Sequence, residues 1–196
     1  VTLSACAFGG SLPESVAAAK ASPTAQTPVG LITIADDMTQ QGKHEAAIPL
    51  YRFIANTTRE PHAVTGLAGS LLAVGSIQAA QKILADYIAH TGVAGTPGEM
   101  FYLYGKASLA LGDFNAALDG FNEATIKMRD DPRPISGRAI ALAASGDSKA
   151  ALEAINNATE TSSLSNKALI LAASNMPEAA INILEPIIAA GNSRAR

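Results

Sequence analysis

The side chains able to do covalent chemistry are few and scattered. His44, His62 and His90 are the only histidines, and none falls in the His-Glu-x-x-His spacing that holds a catalytic zinc on one helix face. One cysteine cannot complete a thiolate metal site or a disulfide. No serine stands in a Gly-x-Ser-x-Gly elbow, and the glycine-rich run 92–98 lacks the Gly-Lys pair that would cradle a phosphate. These residues predict no enzyme, no metal and no cofactor. The exception is Cys6, which closes Leu3-Ser4-Ala5-Cys6, an apolar residue and two small ones before a cysteine. That is the pattern of a bacterial lipobox, whose thiol is diacylated and becomes the mature N-terminus. Residues 7–28, rich in Gly, Ser, Pro and Ala, have the composition of a flexible tether. The alternative is a disordered N-terminus with an incidental cysteine. On the lipobox reading, the basic and apolar parts of a signal peptide are expected upstream of Val1. The acyl chains, at ~0.8 kcal/mol per buried methylene, would then hold the chain on a bilayer. The anchor would be covalent only, because the sequence has no apolar run long enough to span a membrane. Ala7, rather than an aspartate, follows the cysteine, which favours the outer membrane of a Gram-negative cell.

The elements behind such a tether are legible from a phrase stated five times. A turn residue is followed five positions later by alanine and four after that by a bulky apolar residue. The copies are Gly42-Ala47-Tyr51, Gly75-Ala80-Leu84, Gly112-Ala117-Phe121, Gly146-Ala151-Ile155 and Asn175-Ala180-Leu184. Seven positions before each turn residue lies another small one: Ala35, Ala68, Gly105, Ala139 and Ala168. Successive turn residues are 33, 37, 34 and 29 positions apart, which brackets the roughly 34-residue period of tetratricopeptide repeats. Each copy reads as two amphipathic helices around a short turn, with small residues allowing close approach and large ones filling the space beside them. The fold class expected is all-α, a right-handed superhelical solenoid of about five tetratricopeptide hairpins. The units run approximately over 29–61, 62–95, 98–131, 132–161 and 162–196, after a lipobox remnant at 1–6 and the linker at 7–28.

Departures are also informative. Residues 91–98 read as too rich in Gly and Pro to be helical. Pro49 and Pro186 fall inside second helices and are expected to kink or delay them. The charged turn 127–133 reads as a solvated loop. A repeat array needs a polar terminal cap, and none is visible after the last hairpin, so the array is expected to continue past Arg196 or to be covered by a partner or a second copy. The formal charge of −3 offers no basic field for nucleic acid.

With lipobox, tether and repeats in this order, the chain resembles the TadD family, tetratricopeptide lipoproteins of the tight-adherence (Flp) pilus systems. The more particular residues are Ser165-Asn166-Lys167-Ala168-Leu169, Pro177-Glu178-Ala179-Ala180 and Ile183-Leu184-Glu185-Pro186. The resemblance implies a lipid-anchored outer-membrane factor, facing the periplasm, that helps a pilus secretin assemble or localise. Its partner would be protein, its membrane contact the anchor alone, with no nucleic acid. In tetratricopeptide geometry the first helix of each unit lines a concave groove. Carrying those positions over selects Asp36, Thr39 and Gln40, then His62, Thr65 and Leu72, then Glu99, Tyr102, Lys106 and Leu109, then Arg133 and Ser136. Tyr102, Lys106 and Arg133 would form an aromatic and cationic patch for an extended peptide. Two other readings use the same features: a general periplasmic scaffold in envelope biogenesis, or the accessory region of a longer enzyme.

Overall fold

The computed structural model describes residues 28–156 and 161–194. Cys6, the lipobox and the linker up to residue 27 lie outside the described residues. The described residues form ten helices and no strand: α1 (Pro28–Gln40), α2 (His44–Thr58), α3 (Pro61–Ala73), α4 (Ile77–Gly95), α5 (Gly98–Ala110), α6 (Phe114–Lys127), α7 (Pro132–Ala144), α8 (Ser148–Ala154), α9 (Thr161–Ala173) and α10 (Pro177–Arg194).

The turn residues stop one helix and start the next. At Gly112 φ is +77°, a left-handed value that costs glycine nothing, and its amide donates to the Leu109 carbonyl while Asp113 N donates to Ser108 O. Asn175 takes the same conformation at φ +60°, with its amide bonded to Ala172 O and Met176 N to Leu171 O. Asparagine thus does the glycine's work in the last hairpin. Asp113 and Asp147 then cap the following helices, accepting from Ala116 N and Ala150 N.

The described residues divide into two compact units, one up to Val74 and one from Gly75 onward. In the first, α1 packs on α2, and α3 on both. Ala35, Ala47, Ile54 and Tyr51 are almost wholly buried there. In the second, α5, α7 and α9 follow one another as one layer, and α4, α6 and α8 pack against them as the other. Its closest approach joins α5 to α6. A Cβ added at Gly120 would lie 2.8 Å from Gly105 N and 2.9 Å from Phe101 O, so backbone meets backbone there.

The buried aromatics make a second use of glycine. Phe121 is fully buried, and a Cβ at Gly105 or at Gly137 would come within 2.8 Å or 2.5 Å of its ring. One phenyl is therefore wedged between α5 and α7, two consecutive helices of one layer. Tyr51 sits likewise against Gly66, where a Cβ would lie 2.5 Å from the ring. Gly66 and Gly137 each stand two positions before the small anchor of their helix, and each follows a hairpin whose bulky residue is aromatic. After Leu84 and Ile155 the matching positions hold Leu103 and Asn166.

Three expectations are corrected. Residues 91–98 are helical only in part: the chain kinks at Gly92, where φ is +71° and ψ is 170°, a short helical turn then runs to Gly95, and Thr96 and Pro97 are not helical. The Thr96 hydroxyl bonds to Gly92 O and meets that of Thr91, which in turn reaches Tyr87 O, so threonine side chains knit the segment the glycines would loosen. Pro49 and Pro186 do not delay their helices, which begin at His44 and Pro177. The bonds these prolines forfeit belong to Glu45 and Asn182, both exposed, so water can take the freed carbonyls. Nor is the turn at 127–133 merely solvated, because Asp131 and Arg133 belong to the cluster described below. At the far end, α10 leaves Ile181 and Ile188 exposed. Among the described residues no helix is long and apolar enough to cross a membrane.

Candidate peptide-binding groove

In the first unit the selected residues gather around Asp36, which follows the buried anchor Ala35 on α1. Its carboxylate accepts from the Tyr51 phenol at 2.5 Å and meets His62 Nε2 at 2.9 and 3.0 Å from the start of α3. Burial, then the bond to Asp36, pushes the Tyr51 phenol up to about 12. Thr39 donates to Asp36 O and Thr65 to Pro61 O, both within their own helices. Gln40 is exposed and Leu72 half-buried. The centre of this group is thus bonded within the protein.

The second unit differs. Tyr102 lies on α5 with two cations over its ring, Arg133 Cζ at 4.9 Å from the centroid and Lys106 Nζ at 5.6 Å. Phe121 packs beside it, centroids 6.0 Å apart. Burial raises the Tyr102 phenol above its ordinary value, against the pull of Arg133. The patch expected from Tyr102, Lys106 and Arg133 is therefore assembled. Arg133, however, is engaged through four of its five N–H groups: Nη1 and Nη2 donate to Glu99 at 3.2 and 2.8 Å, and Nε and Nη2 donate to Asp131 at 2.6 to 3.0 Å. Asp131 also caps α7 through Arg133 N. Those bonds hold the Asp131 carboxyl below the usual range and raise the guanidinium further. Arg133 is a strut tying α5 to α7. Lys106 is exposed, and among the described residues no carboxylate pairs with it.

Beside this cluster is a cavity of about 420 Å³ lined by Tyr102, Lys106, Leu109, Phe121, Arg133 and Ser136 with Gly137, Ile140 and Asn166. Its lining is largely apolar, with Tyr102, Leu109, Phe121 and Ile140, and Lys106 is among the residues around it, a chemistry suited to an extended chain with an apolar side chain and an acceptor or anionic group nearby. Ser136 is turned inward, its hydroxyl 2.8 Å from that of Ser163. Sequence reasoning missed Asp131, dismissed with its turn, and Gly137, whose signal was a glycine two places before a small anchor and after an aromatic hairpin.

No protein-family model and no curated protein matches the chain. Solved structures do. A tetratricopeptide repeat protein from Parabacteroides merdae superposes with a TM-score of 0.74 at 15% identity, over 91% of this chain and 70% of that one. A thermophilic TPR protein of Thermus thermophilus gives 0.67 at 15% identity, over 80% and 88%. YrrB, described as a TPR protein with an unusual peptide-binding site, gives 0.61 at 16% identity, over 89% and 91%. The fold is that of the tetratricopeptide repeat.

Proposed function

We propose that this chain is a non-enzymatic scaffold that binds a protein partner, holding an extended segment in the cavity between α5 and α7. The observation that carries this is the Tyr102 ring, framed by Lys106 and the braced Arg133 over an apolar cavity. Bracing Arg133 fixes the ring before a ligand arrives, so less ordering is needed on binding. Lys106 meets the ligand's polar group. The lipobox at Cys6 and the likeness to the TadD family extend the reading to a lipid-anchored outer-membrane factor whose partner is a pilus secretin. YrrB's described peptide site, on the same fold, supports the use of such surfaces for peptides.

The test is a pull-down from envelope extracts with the lipidated full chain. Secretin should be captured, Tyr102→Ala with Lys106→Ala should lower recovery, and Cys6→Ser should abolish membrane association. Unchanged affinity in the double variant sinks the cavity assignment, and absence of any secretin sinks the pilus part.

A further inference from the structure

Helix α5 has a second lined face. Where Tyr102 and Lys106 look into the cavity above, Phe101 and Tyr104 form the floor of a separate groove of about 470 Å³ between α4 and α6. The two flanking helices give its walls opposite characters. On α4 the wall is apolar, with Ile88 and with Val93, which is 49% exposed. On α6 it is acidic, with Asp119 and Glu123 one helical turn apart. Like charges at that spacing repel. Neither carboxylate has a cationic partner among the described residues. Lys127, one turn beyond Glu123, turns away instead, its ammonium 5.8 Å from the Phe101 ring centroid and 3.4 Å from Ala94 O. The obvious internal counter-ion is thereby spent on the Phe101 ring and the Ala94 carbonyl.

We propose that this groove docks a partner segment carrying a lysine or arginine beside apolar side chains. The apolar residues lie on Ile88, Val93 and the aromatic floor, and the cation relieves the repulsion between Asp119 and Glu123. The site uses none of the residues assigned to the peptide cavity, so the two stand or fall separately.

A fluorescent amphipathic peptide of leucine and lysine, titrated into the full chain and followed by anisotropy, tests this. Binding should weaken by about tenfold or more when glutamate replaces the peptide's lysines, and also when serine replaces its leucines. The variant D119K/E123K should lose the lysine peptide by about tenfold and gain the glutamate peptide. That reversal of preference is something a misfolded variant could not show. Val93→Ser should weaken the lysine peptide, while Tyr102→Ala with Lys106→Ala should leave it unchanged. Equal affinity of D119K/E123K and the unaltered chain overturns the proposal. So do failure of the lysine peptide to bind, amide shifts centred on Tyr102, or self-association abolished by D119K/E123K, which would seat a second copy there.

Discussion

The two units put different chemistry on matching positions of one helical frame. In the first, the buried aromatic is Tyr51, and the residue after the small anchor is Asp36, which accepts its phenol and meets His62. In the second, the aromatic at the matching place is Phe121, and the residue after the anchor Gly105 is Lys106, free to lie over Tyr102 beside a cavity. A buried hydroxyl needs a partner, so a tyrosine in the core conscripts the groove position above it. A phenylalanine makes no such demand. One oxygen atom on a core ring thus decides whether a groove residue serves the fold or can serve a ligand.

The largest effects should come from glycines at helix contacts, two of which, Gly66 and Gly137, stand at matching positions of the two regions. Gly120→Ala drives a methyl into the α5 backbone and should cost about 3 kcal/mol by chemical denaturation. Gly66→Ala and Gly137→Ala, which crowd Tyr51 and Phe121, should cost about 2 kcal/mol each. Phe121→Leu should restore part of the Gly137→Ala loss, and strict additivity of the pair would refute the wedge.

Exchanging the rings is the next test. Phe121→Tyr buries an unpartnered phenol and should cost about 1.5 kcal/mol, of which Lys106→Asp should recover about 1 by supplying the acceptor that Asp36 supplies in the first unit. Tyr51→Phe should cost about 1 kcal/mol. Because the folded-state phenol of Tyr51 is raised to about 12 from 10.0, its contribution is complete below pH 10 and disappears as pH climbs toward 12. Thermal melts across that range should show the loss in the unaltered chain and a smaller one in Tyr51→Phe.

Arg133→Gln should change stability least, by about 0.5 kcal/mol, since its ion pairs are half-exposed. Its signature is instead acidic: the lowered Asp131 carboxyl contributes above the ordinary carboxylate range, and that contribution goes as pH falls through the lowered value. Carboxyl-carbon NMR should show Asp131 titrating nearer its ordinary value in Arg133→Gln.

The hairpins were legible because a turn residue with positive φ and small residues at helix contacts leave periodic marks, down to the asparagine at 175. So was the meeting of Tyr102, Lys106 and Arg133, which tetratricopeptide geometry, carried over onto these positions, brings to neighbouring helices. Which of them is free was not legible, because it depends on Asp131 and Glu99 reaching adjacent edges of one guanidinium. The helical turn beyond Gly92 was hidden for a similar reason, its support being threonine hydroxyls rather than propensity.

The contact of Gly105 with Gly120 also bears on how the second unit opens. Two backbones in touch leave no side chain to swing aside and admit water, so α5 and α6 can part only by separating as whole helices. Their amides should be the last of the second unit to exchange with deuterium, long after those of α10, which leaves Ile181 and Ile188 exposed.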